Sequence, residues 1–298
     1  MKLIINLPAF NEEAKIGETI KKIPRHISSI DEVFIQVIDD GSKDKTAQVA
    51  REAGADWVFS HPINRGIGIT FRTAVEKALE NGADIMVNMD ADGQFDAEDI
   101  QKLIRPILEN RADLVSASRF GHKKADNMPR IKYILNKIAA WIIGKFMKHP
   151  IADLTCGFRA YSREALLRLN LSGGFTYTQE VIIDAIGKNL KIEWIPATVT
   201  YFENRKSRVV KNVFNYVGNS GKIILKTVRD VRPMRFFGIP ALILIFTSLI
   251  FFVYFLVQYL ETLKITPYRN ILLLAITLFL IGIQFLIFAF IADMIKTT

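Results

Sequence analysis

The 298-residue chain has a single cysteine, Cys156, which excludes an internal disulfide and suits a reducing compartment. Its histidines, His26, His61, His122 and His149, are scattered outside every polar cluster described below and read as structural. A G-x-G-x-x-G fingerprint is absent after the first strand-like segment. Gly66-Ile67-Gly68 is only a fragment that reads as a turn, so a dinucleotide-binding dehydrogenase has little support. Low-complexity segments and internal repeats are missing. Met1–Pro8 is too short for a signal peptide and runs straight into a strand-like start, so none is expected. Charge is missing altogether from Phe236–Leu260 and from Asn270–Ala292.

Those two charge-free runs are each about 22–25 residues, or ~33–37 Å as helix, enough for a ~30 Å hydrocarbon core. Their apolar residues cover every face, so they read as transmembrane helices, about 236–260 and 270–292, in a two-helix membrane domain, 236–292. Ahead of them, Arg205, Lys206, Arg208, Lys211, Lys222, Lys226, Arg229, Arg232 and Arg235 face only Asp230. This basic juxtamembrane segment, 205–235, predicts a multi-pass protein of the cell membrane with residues 1–204 and both termini cytoplasmic. Much of the net charge of +9 is thereby assigned to a bilayer surface. Nucleic acid is not expected as a partner, because the basic residues are interleaved with aliphatic side chains rather than stacking aromatics.

Before the membrane segments, strands and helices alternate. Strands are expected at Leu3–Leu7, Val33–Ile38, Asp56–Ser60, the run before Asp90, and Asp113–Ala117. Helices are expected from Asn11, as N-cap, to about Ile23, and at Thr46–Ala53, Ile67–Asn81 and Asp96–Glu109, the last kinked or restarted at Pro106. The alternation predicts an α/β fold with a mostly parallel, doubly wound sheet, in which ligands bind beyond the carboxyl ends of the strands. Pro8–Glu12, Asp39–Ser42, Asp90–Gln94 and Ser118-Arg119 all follow strands and should converge on one edge.

The centre of that edge is Asp90-Ala91-Asp92-Gly93-Gln94, at the end of the apolar run Ile85–Met89. Two carboxylates and an amide leave a strand within five residues, and Gly93 permits a sharp turn. Oxygen ligands with open positions suit Mg²⁺ or Mn²⁺, which bind substrate phosphates through such sites. The alternative is a solvated loop. Asp96, Glu98 and Asp99 instead read as helix-start acids.

Two segments are amphipathic. Pro129–Met147 carries Ile131, Ile134, Leu135, Ile138, Ile142 and Phe146 on one stripe, with Arg130, Lys132, Lys137 and Lys148 flanking it. Val209–Val228 repeats the pattern more weakly. Each fits a helix in a membrane interface or one facing a core.

Taken together, Leu7-Pro8-Ala9-Phe10-Asn11-Glu12-Glu13, Val37–Ser42, Met89–Gln94, Ser118-Arg119-Phe120 and Cys156–Tyr161 resemble the signatures of inverting GT-A glycosyltransferases. The chain is most similar to dolichyl-phosphate mannose synthases and related polyprenyl-phosphate hexosyltransferases, over about residues 1–235 with the two spans as an added match. The resemblance implies a Rossmann-like GT-A domain with interfacial amphipathic helices, followed by the two spans. It implies a nucleotide-sugar site at Pro8, Phe10, Glu12, Ile38, Asp40, Asp90, Ala91, Asp92, Gln94 and Arg119. It also implies metal binding by Asp90, Asp92 and Gln94, and acceptor-phosphate contacts from Arg205 and Arg208. Phe10 replaces a frequent tyrosine, keeping a stacking face without the hydroxyl, and the segment before Arg208 is shorter than usual.

The implied activity is metal-dependent transfer of a hexose, with inversion, from a nucleoside-diphosphate sugar such as GDP-mannose or a UDP-hexose to dolichyl or polyprenyl phosphate. A lipid phosphate is already ionised near pH 7, so no strong base is required. Asp92, Arg119, Asp153 and Glu180 are the candidate catalytic residues, the last two to orient the acceptor or act as base. A structural reading makes Asp153 a helix cap and Glu180 a satisfied buried acid, while Arg159 reads as structural. Rival readings are a processive polysaccharide synthase, which lacks its Gln-x-x-Arg-Trp motif here, and a non-catalytic sugar-nucleotide-binding membrane protein. The two spans could also pack with copies of themselves as a homo-oligomer.

Overall fold

The computed structural model describes residues 1–120, 130–170, 177–197, 199 and 213–297. It divides into two compact units, Met1–Ile224 and Leu225–Thr298.

The first unit is built on seven strands: β1 (Lys2–Ala9), β2 (Glu32–Asp39), β3 (Trp57–Ser60), β4 (Ile85–Asn88), β5 (Leu114–Ser118), β6 (Arg159–Ser162) and β7 (Ile192–Pro196). Their order across the sheet is β3-β2-β1-β4-β6-β5-β7. β1 pairs in parallel with β2 and β4, β2 with β3, and β5 with β7. Only β6 among the described strands runs against its neighbours, β4 and β5. The mostly parallel sheet is therefore present, but the sequence reading did not foresee that the Cys156–Tyr161 motif would enter it as an antiparallel strand.

Helices α1 (Ile16–Lys22), α2 (Thr46–Glu52), α3 (Ile67–Glu80), α4 (Asp99–Leu108), α5 (Arg130–Met147), α6 (Arg163–Arg168) and α7 (Thr178–Gly187) complete this unit, up to α8 (Val213–Val231), which crosses the division. Strand side chains alternate between faces. Leu3, Ile5 and Leu7 of β1 share a core with Ile16 and Ile20 of α1, Ala50 of α2 and Ile100, Leu103 and Ile104 of α4. On the other face Asn6 lies in a buried polar row. Gln36 donates to Asn6 at 3.0 Å and to the Ala74 carbonyl of α3, and Asn6 donates to Asn88 at 2.7 Å.

Two local expectations are corrected. Asn11 caps no helix: it sits at φ 53°, and its side chain accepts the Lys43 N–H at 2.8 Å, five positions before α1 begins. α4 neither breaks nor restarts at Pro106, because the proline falls in its last turn, where its carbonyl accepts the Arg111 and Ala112 N–H groups. Asp96 does serve the start of α4, accepting the Glu98 N–H at 3.0 Å.

The second unit contains the end of α8 and two long apolar helices, α9 (Pro233–Thr262) and α10 (Arg269–Thr297). Both are long and apolar enough to cross a membrane, over Pro233–Thr262 and Thr266–Ile295. Most of their large side chains face outward. Small residues let them approach: a Cβ at Gly282 would stand 2.7 Å from Ile245 and 3.2 Å from the Ala241 carbonyl. Ser248 donates to the Ala275 carbonyl at 2.8 Å.

Candidate active site

Parallel β1, β2, β4 and β5 end at one edge of the sheet, and antiparallel β6 starts there. This places Pro8, Phe10, Glu12, Ile38, Asp40, Asp90, Ala91, Asp92, Gln94, Arg119 and Asp153 at that edge. Each lies at the end of β1, β2, β4 or β5 or shortly after it, except Asp153, which precedes β6.

The β1 and β2 ends are latched together. Ser42 accepts the Asn11 N–H at 2.8 Å, Thr46 accepts the Glu12 N–H at 2.8 Å, and Glu13 accepts the Lys45 N–H at 2.9 Å. Asp40 is buried and holds the 61–66 loop: its carboxylate accepts the Arg65 N–H at 2.9 Å and the Gly66 N–H at 2.8 Å. His61 Nδ1 lies 2.9 Å from the same carboxylate, and its Nε2 lies 3.1 Å from Thr73. The loop crosses directly over Gly41, at φ 70°, where a Cβ would fall 2.4 Å from the Ile63 carbonyl carbon. His61 therefore belongs to the site's support. Sequence reading left it outside because its link to Asp40 is made across two strands, not along the chain.

Past β4, the Asp90–Gln94 loop turns at Gly93, with φ 72°. Asp92 is half-buried, and its Oδ1 accepts the Gln94 N–H at 3.0 Å. The Ala91 carbonyl accepts from Thr19 of α1 at 3.1 Å, fixing the loop to the sheet's cover. Asp90 fronts Gly157, where a Cβ would stand 3.3 Å from one carboxylate oxygen and 3.0 Å from the Tyr177 hydroxyl. Behind it, Asn88 donates to the Gly157 carbonyl at 3.1 Å and to the Tyr177 oxygen at 2.8 Å. Tyr177 stacks on Phe71, ring centroids 3.9 Å apart. Burial pushes its phenol well above the usual range, with Tyr161 and Asp90 adding to the rise.

No group of three His, Cys, Asp or Glu side chains gathers as a closed metal cage among the described residues. Two carboxylates and an amide on an open loop match what an oxygen-loving divalent ion shared with phosphates requires, and the missing Cβ of Gly157 keeps the space beside Asp90. The donor set fits such an ion.

At the end of β5, Arg119 is 8% exposed and pairs with the fully buried Asp153. Its Nε and Nη2 donate to the two carboxylate oxygens at 2.7 and 2.8 Å, and Nη2 also reaches Thr155 at 2.6 Å. Asp153 accepts further from Asn136 of α5 at 2.8 Å and from the Thr155 N–H at 3.0 Å. Burial alone would raise its carboxyl, but the Arg119 charge and these donors outweigh burial and hold it below the usual carboxylate range. Asp153 lies between α5 and β6 and caps no helix. Both of its oxygens are thus engaged, and the carboxylate holds the Arg119 guanidinium in place.

Glu180 is buried in the first turn of α7, the helix that starts beside Tyr177. Arg159 is fully buried and donates to Ser116, Thr178 and Leu154, a structural role. Arg205 and Arg208 lie outside the described residues. Sequence reading missed Asn136, Thr155 and Tyr177. Asn88 could have been found, as the polar residue inside the apolar run Ile85–Met89.

Comparison with known proteins agrees with this architecture. The family model for glycosyl transferase family 2 matches residues 4–169. A UDP-N-acetylglucosamine–dolichyl-phosphate N-acetylglucosaminyltransferase of Methanococcus voltae is 31% identical over 222 residues, covering 68% of this chain and 87% of that protein. A polyprenol monophosphomannose synthase of Mycolicibacterium smegmatis is 28% identical over 209 residues, 67% of this chain and 77% of that one. Among solved structures, glucosyl-3-phosphoglycerate synthase from Mycobacterium tuberculosis, bound to Mn²⁺, UDP-glucose and phosphoglyceric acid, superposes with a TM-score of 0.60 at 23% identity. That match covers 77% of this chain and 79% of that chain and shows a shared GT-A-like fold. The chain is a glycosyltransferase and belongs to glycosyl transferase family 2.

Proposed function

We propose that the protein transfers a hexose from a nucleoside-diphosphate sugar to a polyprenyl phosphate at a membrane surface, with inversion at the anomeric carbon. The observation that carries this reading is the meeting of four strand-end clusters, with the Asp90–Gln94 loop among them, in a chain that continues into two membrane-length apolar helices. Support comes from two of the relatives, one named as a dolichyl-phosphate N-acetylglucosaminyltransferase and the other as a polyprenol monophosphomannose synthase.

In this reading Pro8, Phe10, Glu12, Ile38 and Asp40 form the nucleoside side of the site, with Asp40 acting by holding the 61–66 loop. Asp90, Asp92 and Gln94 would hold Mg²⁺ or Mn²⁺, which offsets charge on the departing diphosphate. Arg119 presents oriented N–H groups whose charge is shared with Asp153. An oxygen of the lipid phosphate attacks the anomeric carbon as the bond to the nucleoside diphosphate breaks, and neither partner has to give up a proton. Asp153 serves as positioning partner of Arg119, and Glu180 is the remaining carboxylate for orienting the acceptor. Arg205 and Arg208 are proposed to meet the acceptor phosphate. Unchanged transfer by Arg205→Ala at limiting acceptor would remove that role.

A polyprenyl tail leaves its bilayer at a cost of ~0.8 kcal/mol per CH₂, so the enzyme has to come to its acceptor. α5 is suited to this, because Ile134, Ile138, Trp141 and Ile142 all face outward with Lys137, Lys145 and Lys148 around them. Lys145 lies over the Trp141 ring at 5.3 Å. An apolar stripe edged by lysines matches a bilayer interface. Cytoplasmic placement of the catalytic unit follows from the basic residues before α9.

The test is to incubate membranes carrying the protein with labelled UDP- and GDP-sugars and Mn²⁺ or Mg²⁺. Label entering the lipid-soluble phase is expected, and the donor that delivers it names nucleotide and sugar. Pelleted polymer, or nucleotide binding without turnover, would overturn the reading.

A further inference from the structure

α5 has two faces of opposite character. Ile134, Ile138, Trp141 and Ile142 look outward, at 52%, 49%, 65% and 53% exposure. Asn136, Ala140, Ile143 and Met147 look inward and are buried. Asn136 is the polar member of the inward set, and it sits within two positions of Ile134 and Ile138.

Its side chain reaches out of the helix to the sheet edge. Nδ2 donates at 2.8 Å to Asp153 Oδ1, the same oxygen that takes Arg119 Nη2 at 2.8 Å and the Thr155 N–H at 3.0 Å. The other end of the amide, Oδ1, is buried with no partner among the described residues. A buried acceptor left unmade is a standing cost that an apolar residue of similar size would avoid. Packing therefore does not account for an asparagine here, whereas a bond to the Arg119–Asp153 pair does. α5 is a helix of 18 residues, stiff over this length, so its two faces move together. A shift that settles Ile138 and Trp141 into acyl chains carries Asn136 with it. Cys156, the residue after Thr155, is fully buried, so the segment receiving that shift is anchored on its far side.

We infer that Asn136 is a positioning residue that couples the seating of α5 on a bilayer to the placement of Arg119 through Asp153. This rests on the membrane reading of α5 given above. It makes the nucleotide site of the membrane-seated enzyme different from that of an enzyme whose α5 is unseated. The coupling is carried by a contiguous chain of contacts, from Asn136 to Asp153 to Arg119.

A double-mutant cycle tests it on the full chain in bilayer discs of phosphatidylglycerol and phosphatidylcholine. Asn136→Leu removes the inner link and Ile138→Glu prevents seating of the outer face, which touches none of the site residues. Two quantities are read for each variant: affinity for whichever of UDP and GDP binds more tightly with Mn²⁺, and the rate of sugar transfer to polyprenyl phosphate. If the two residues act on one coupled element, each single change lowers both quantities about tenfold and the double change lowers them by about the same tenfold, not a hundredfold. Effects that multiply, or an Ile138→Glu protein that behaves as wild type, overturn the coupling. So does an Asn136→Leu protein that merely melts earlier while its nucleotide affinity stays intact. The nucleotide arm needs no acceptor. A wrong acceptor assignment shows as nucleotide binding without lipid product, and a wrong coupling shows as multiplying effects on that binding. Failure of the wild type to bind either nucleotide removes both readings.

Discussion

The two halves of the sheet edge each bury an aspartate, and they hold it by different means. On the β1–β2–β3 side, Asp40 is met by two backbone N–H groups and His61. On the β4–β6–β5 side, Asp153 is met by the Arg119 guanidinium, Asn136 and the backbone N–H groups of Arg119 and Thr155. The first arrangement fixes a loop, because its donors belong to the main chain of residues 65 and 66. The second fixes a side chain that carries charge to the site. A backbone N–H carries no net charge to be left bare, whereas losing Arg119 leaves Asp153 as an uncompensated buried charge, and losing Asp153 leaves Arg119 as one.

That difference can be broken in order of size. Arg119→Met leaves Asp153 buried without its cation, and should cost about 3–5 kcal/mol in urea unfolding along with most of the transfer activity. A cost below that of Asp40→Asn would reverse the comparison. Asp92→Asn, on the open loop, should do the opposite. Transfer is expected to fall about 10²–10³-fold, and stability to stay within ~0.5 kcal/mol of wild type. EDTA should mimic the rate loss, with Mn²⁺ restoring it. Asp40→Asn retains one acceptor oxygen and should cost about 1–3 kcal/mol, because one of the paired N–H groups is left unmet; the melting curve reads it directly.

Smaller effects sharpen the picture. The Asp153 carboxyl is depressed in the folded protein, so its contribution is complete above the ordinary carboxylate pKa, near 3.9, and fades as pH falls through the lower folded value. The stability gap between wild type and Asp153→Asn should therefore be constant near neutrality and narrow below about pH 4. A gap that widens in acid would contradict the pairing. Burial pushes the Cys156 thiol up to about 12, so the native protein should resist alkylation that proceeds readily in urea.

Much of the edge was legible along the chain because parallel strands put their carboxyl ends together. Once Leu3–Leu7, Val33–Ile38 and Ile85–Met89 are read as strands, Asp40, Asp90 and Asp92 must share an edge. The supports were not legible, because they are links between distant segments: His61 to Asp40 over 21 positions, Asn88 to Tyr177 over 89. β6 was hidden because a buried strand of four residues has no room to show a period. Asn11 misled because the same residue type that caps helices also adopts positive φ and bridges loops.

By itself the sequence determined the alternation of strands and helices, the acidic loop after β4 and the two apolar helices. Each depends on local pattern, periodicity and run length, which need no partner to be read. Only the tertiary structure decided that Asp153 holds Arg119, that Asn136 joins the pair from α5, and that the apolar stripe of α5 faces outward. Burial and pairing are properties of what lies across the gap, and no single stretch of chain contains both sides.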